Sequence, residues 1–189
     1  MRRVVTGHDT SGKSVFVSDG EPPHGVALRG VPRFRIDEVW SVVGVPTLPP
    51  ASGEPTTQRH PFFPAPGGTG FVVVTFPPES DVTRAAESGV DIAAAQNEFY
   101  EAFPGLAGTM EPDAPGMHTS QTVDYGVVIR GEVWLELDDG AKRLLKPGDC
   151  VIQNGTRHAW RNRSSEPCVI AVTLVGAQRT AASQTASRK

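Results

Sequence analysis

The sequence predicts a mostly-β fold, and three observations carry that expectation. Glycine and proline are abundant, 20 and 17 of 189 residues, which suits a turn-rich sheet better than a helical bundle. Short runs of alternating apolar and polar residues fill the second half. The clearest is Glu132 to Asp138, where Val133, Leu135 and Leu137 alternate with Glu132, Trp134 and Glu136. Between the runs stand turn sequences: Asp138-Asp139-Gly140, Pro147-Gly148-Asp149 and Asn154-Gly155-Thr156.

Taken in order, Lys13 to Asp19 reads as a short strand closed by Gly20 and Pro22-Pro23, and Phe34 to Trp40 as a second. Pro46 to Gly70 is a long proline- and glycine-rich connection, of the length that serves as a lid or stays disordered. Phe71 to Phe76 reads as a buried strand stopped by Pro77-Pro78. The period then changes. Ile92, Ala95, Phe99 and Phe103 fall at helical spacing, with Asp91 as cap, Pro104-Gly105 as stop, and Asn97, Glu98 and Glu101 on the solvated side. This predicts one helix packed on the outside of a sheet. Strands resume at Tyr125 to Ile129, Glu132 to Asp138, Arg143 to Leu145, Cys150 to Gln153, His158 to Asn162 and Cys168 to Val175. The small polar residues from Ala177 to Lys189 predict a disordered tail. The division expected is an N-terminal extension over 1–105, a barrel core over 106–176 and the tail over 177–189.

A net charge of −3 and a pI near 5.9 leave no electrostatic footprint for nucleic acid or an anionic membrane. No apolar run reaches bilayer-spanning length, and no signal-peptide core follows Arg2-Arg3. Cys150 and Cys168 lack CxxC spacing and read as two free core thiols in a reducing cytoplasm.

The chemistry concentrates between Gly116 and Asn162. On an unbroken strand His118, Ser120, Thr122 and Asp124 share one face, and on a later strand His158, Trp160 and Asn162 share another. If the two strands meet in a small barrel, His118, Asp124 and His158 converge inside it. Two neutral imidazoles and a carboxylate suit one divalent metal ion (zinc, iron, manganese or nickel) with open positions for substrate or water. A Ser-His-Asp hydrolase is the competing arrangement, but no Gly-x-Ser-x-Gly elbow surrounds Ser120.

These residues resemble the cupin motifs, Gly-x5-His-x-His-x3,4-Glu-x6-Gly and Gly-x5-Pro-x-Gly-x2-His-x3-Asn. His118 stands at the first histidine, Ser120 where the second belongs, Asp124 in place of the glutamate and Gly131 at the closing glycine. The first motif's opening glycine is not in register; in the second motif Gly148, Gly155, His158 and Asn162 match, while the proline position is shifted and holds Gln153. The likeness covers roughly a third of the chain. It implies a double-stranded β-helix, a cupin jelly-roll barrel, with the N-terminal strands added to its sheet and one or two short helices. It also implies a homodimer with metal at the barrel centre. The loss of the second histidine leaves a three-ligand site of His118, Asp124 and His158.

On this reading a small oxygenated organic molecule is the substrate. The leading expectation is a metal-dependent lyase, dehydratase or decarboxylase, with Ser120 as the candidate for proton transfer. A non-haem Fe(II) dioxygenase is the second reading, and a metal-free binding module without turnover the third. Trp160, Trp134, Arg130 and His60 are the candidate substrate contacts. Their plain alternatives are core aromatics, a solvated strand-end arginine and a loop histidine.

Overall fold

A computed structural model describes residues 1–48, 50 and 60–180. Eleven strands and two helices are present among them. Six strands form one antiparallel sheet in the order β3 (His24–Ala27), β4 (Arg35–Val42), β5 (Thr69–Phe76), β11 (Cys168–Gly176), β6 (Thr122–Arg130) and β9 (Cys150–Asn154). Three more, β10 (Ala159–Arg161), β7 (Val133–Glu136) and β8 (Lys142–Leu145), form a second sheet. A separate hairpin joins β1 (Arg3–His8) to β2 (Ser14–Gly20). The two larger sheets pack face to face through Val128, Val133, Cys168 and Ile170, each no more than 1% exposed, with Leu145 and Trp160 beside them. This is the all-β double-stranded β-helix, with its sheets open rather than fused into a closed barrel.

The turns follow from their sequences. At Asp138-Asp139-Gly140 both Asp139 (φ 54°) and Gly140 (φ 71°) adopt left-handed backbone, the conformation that joins β7 to β8 with the right twist. Gly131 ends β6 at φ +71°, where a Cβ would stand 2.3 Å from the Pro167 carbonyl oxygen, so only glycine fits. Asn162 closes the next loop. Its Nδ2 donates to the carbonyls of Phe76 and Glu166 at 2.9 and 2.8 Å, and its Oδ1 accepts from the Ser164 amide and hydroxyl.

Helix α1 (Glu79–Glu87) is an element the sequence reading did not single out. Pro77-Pro78 stops the preceding strand but also starts this helix, since proline's fixed φ suits a helix entrance. Its buried Asp81 accepts from Arg33 Nε and Nη2 at 2.9 and 2.6 Å and also pairs with Arg84. Helix α2 (Ile92–Glu101) starts as its cap predicts, with the Asp91 carboxylate accepting from the Ala94 amide at 2.9 Å. Its position corrects the expectation of a helix outside the sheet. Phe99 and the following Phe103 pack into one core with Ile36, Val72, Val74 and Leu174, so α2 lies over the inner face. Two large aromatics one turn apart cannot stay solvated beside an open concave face.

The exposed side of the six-stranded sheet carries Phe71, Tyr125 and Ile152. Cys150 shares that side and is exposed, which corrects its reading as a core thiol; it lies on the edge strand β9, where only alternate residues point inward. Cys168 is fully buried, and both thiols are free. The expectations for Pro46 to Gly70 and for the tail fall partly on residues 49, 51–59 and 181–189, which lie outside the described residues.

Candidate functional site

A cavity of about 250 Å³ lies between the inner sheet face and α2. Its walls are mainly apolar: Val72 and Val74 of β5, Val172 and Leu174 of β11, and Phe99 and Tyr100 of α2. Phe62 and Phe63, from the end of the long connection, complete the wall. Against this surface stand His118, Asp124, Gln153 and His158, with Trp160 alongside.

The two histidines reach the cavity from segments that hold each other. Each donates its amide to the other's carbonyl at 3.0 Å, an isolated antiparallel bridge that brings the ring centroids to 4.2 Å. The neighbouring Arg157 clamps the same junction. Its Nε and Nη2 each donate to a Glu111 carboxylate oxygen at 2.7 Å, and its Nη1 donates to Asp138 at 2.8 Å. The segment before His118 is thereby tied to the loop that leads into β10 and to the β7–β8 hairpin.

Hydrogen bonds fix both rings in one tautomer. Nδ1–H of His118 donates to the Gly116 carbonyl at 3.1 Å, and Nδ1–H of His158 donates to the Thr156 carbonyl at 2.9 Å. A carbonyl only accepts, so the proton sits on Nδ1 and the lone pair on Nε2. Neither Nε2 has a protein partner among the described residues. Burial lowers the His118 pKa. Burial, and secondarily the neighbouring His118, push His158 down to about 4. Both rings are neutral at pH 7.

Asp124 enters from β6, and Gln153 is its register partner on β9. They are 6% and 5% exposed. Asp124 Oδ1 and Gln153 Nε2 are buried with no hydrogen-bond partner among the described residues. Burial raises the Asp124 carboxyl to about 6.

The metal expectation can be tested on these groups. The imidazole pair fits a divalent cation in donor type, protonation and second-sphere anchoring. The three-ligand set does not assemble: among the described residues no three His, Cys, Asp or Glu side chains gather as a cation site. The reason is local. His118 lies in an irregular segment and β6 begins only at Thr122, so the unbroken strand that would align His118 with Asp124 is interrupted.

The other candidates are dispersed. Ser120 is buried but does not border the cavity, and its hydroxyl oxygen accepts from the Thr122 hydroxyl at 2.8 Å. Trp160 borders the cavity edge-on to His158, centroids 5.8 Å apart. Trp134 alternates away from buried Val133 and Leu135 and does not border it. Arg130 is exposed at the end of β6. His60 accepts from the Ser41 hydroxyl at 2.7 Å, outside the cavity wall that its neighbours Phe62 and Phe63 form. Gln153, Arg157 and the α2 aromatics are the site residues the sequence reading passed over. Strand alternation carries a signal for Gln153, since it puts an amide on the same face as Val151.

An antiparallel sheet whose inner face walls an apolar cavity, with an imidazole pair at that wall and a second sheet packed against it, defines a double-stranded β-helix. Residues 107–175 match the cupin domain. The cupin-domain-containing oxidoreductase srdB of Neurospora crassa is 30% identical over 180 residues, 92% of this chain and 72% of that protein. The cupin-domain-containing oxidoreductase fogC of Aspergillus ruber is 26% identical over 161 residues, covering 85% and 63%. Phomopsin biosynthesis cluster protein C' of Diaporthe leptostromiformis is 56% identical over 48 residues, so the match spans about a quarter of each chain. The chain belongs to the cupin family. Among its described residues no helix is long and apolar enough to cross a membrane.

Proposed function

We propose that the chain is a cupin oxidoreductase that encloses a small, mostly apolar molecule carrying an oxygen function and turns it over beside His118 and His158. One observation carries this reading: two neutral imidazoles, each with its tautomer fixed by a backbone carbonyl, border an apolar cavity. The similarity to srdB along most of the chain supports the reaction class.

A divalent ion held by the two Nε2 atoms would supply Lewis-acid polarisation of a substrate oxygen or, as iron, chemistry with dioxygen as oxidant. The chain's own contribution is positional. The valine and phenylalanine walls exclude water and hold the apolar body of the substrate, which strengthens every polar contact made at the histidine end. The Arg157 clamp keeps the two histidine segments in register. The lyase, dehydratase and decarboxylase reading called on Ser120 for proton transfer. That hydroxyl is engaged with Thr122 away from the cavity, which favours the oxidoreductase reading.

Metal analysis and oxygen uptake test the proposal together. Protein purified without added metal is expected to carry a stoichiometric ion that a His118→Ala, His158→Ala double variant lacks. Iron-loaded protein is expected to consume dioxygen with an apolar alcohol or phenol. A protein that binds such molecules but neither retains metal nor consumes dioxygen would be a binding module and would refute the enzyme reading.

A further inference from the structure

Asp124 was expected beside the histidines, but its geometry ties it to Gln153 instead. The two are direct register partners on β6 and β9, a position that sets Cβ atoms about 5 Å apart. Both side chains are more than nine-tenths buried, and both border the cavity. Each brings one unsatisfied atom: Asp124 Oδ1, an acceptor, and Gln153 Nε2, a donor. Gln153 Oε1 accepts from the Thr156 hydroxyl at 2.9 Å, which leaves Nε2 as the amide's unpartnered donor among the described residues. The reverse orientation would turn the amide oxygen toward a carboxylate, oxygen against oxygen.

A buried donor and a buried acceptor without partners are each costly, so this pairing marks what the cavity receives. A single group that accepts from one and donates to the other satisfies both, and a hydroxyl is the smallest that does. A ketone, ether or ester oxygen satisfies only Gln153. The rest of the wall is valine, leucine and phenylalanine. An apolar cavity of about 150 Å³ already holds benzene, so about 250 Å³ suits one ring with a short alkyl chain.

We propose that Asp124 and Gln153 form a hydroxyl-recognising subsite, selecting an apolar, single-ring-sized substrate through one phenolic or alcoholic OH. The subsite acts without metal, and Asp124 serves as a substrate-binding residue rather than as the third metal ligand. This rests on the reading of the cavity as the reaction site.

The experiment compares 4-propylphenol with its methyl isostere 4-propyltoluene, binding followed by tryptophan fluorescence and calorimetry. Full-length protein is used, both chelator-stripped and loaded with zinc. Stripped protein is expected to prefer the phenol by roughly tenfold or more, the cost of leaving the buried pair unsatisfied. Gln153→Met and Asp124→Leu, which remove the donor and the acceptor respectively, should each cut that preference to about threefold or less. Binding of 4-propyltoluene should be retained in both variants, which also reports that the cavity is folded. Equal binding of the two probes by wild-type protein overturns the subsite while leaving the cavity reading intact. A preference that appears only with zinc overturns it in favour of direct metal coordination. Failure of both probes to bind overturns the subsite and the cavity reading together.

Discussion

Replacing Asp124 by asparagine keeps the side-chain volume and removes the charge, and the pH dependence of stability in chelator-treated protein reads the consequence. Burial lifts the Asp124 carboxyl from 3.8 to about 6, and burial lowers His158 from 6.5 to about 4. Between pH 3.8 and 6 the folded chain holds a proton on Asp124 that the unfolded chain has released, so this group lowers stability as pH rises. His158 acts in the opposite sense. As pH falls from 6.5 to 4 the unfolded chain takes up a proton that the folded chain refuses, so stability is lost on acidification. At about 1.4 kcal/mol per pH unit, each effect is on the order of 3 kcal/mol at its full extent. They oppose each other over the same interval, so these two groups together leave the wild-type profile nearly flat there. Asp124→Asn removes one of them. Its stability is expected to climb relative to wild type by on the order of 3 kcal/mol between pH 4 and pH 7, with most of the gain complete by pH 6. Urea titrations at half-unit pH steps measure this. Parallel wild-type and variant profiles would refute the claim that the carboxylate is held in a poorly solvated cavity wall.

Three further outcomes are expected. Gly131→Ala places a Cβ against the Pro167 carbonyl in left-handed backbone; urea titration should show a loss of about 2 to 4 kcal/mol. Asn162→Ala removes the donor to two carbonyls in a residue 2% exposed, and should cost about 2 to 4 kcal/mol by the same measurement. Cys150 is exposed, whereas Cys168 is fully buried with its thiol pushed up to about 11 by burial. A thiol-reactive chromophore should label one cysteine in the native protein and the second only on unfolding. Two equally fast labels would show that the β6–β11 core around Cys168 opens readily.

Much of the barrel could be read from local chemistry. From Tyr125 onward the strands were legible as short alternating or apolar runs set between residues that permit φ > 0 or forbid a strand, and those constraints act within a few residues. The helix over Ile92 to Glu101 was equally legible from its spacing and its aspartate cap. Helix α1 was not, because its stability comes from Asp81 meeting Arg33, 48 residues earlier in the chain. Strand β3 was hidden for a similar reason: its four residues gain strand character only by pairing with β4.

The site divided along the same line. His118, His158 and Asp124 were recognisable as residues of chemical interest because imidazoles and a carboxylate among apolar strand residues need partners when buried. Which of them meet was settled by the tertiary structure. Regular strand structure is interrupted between His118 and β6, register sets Asp124 opposite Gln153, and among the described residues no three such groups gather as a cation site. Alternation along one strand fixes only which face a side chain takes; the partner across that face depends on hydrogen-bond register between segments about thirty residues apart. The amino-acid sequence thus determined the sheet-forming segments, their turns and the identity of the polar groups. Folding in three dimensions decided that α2 and Phe62-Phe63 roof the cavity, and that its polar wall presents a histidine pair and a donor–acceptor pair, because burial and pairing arise only once distant strands have met.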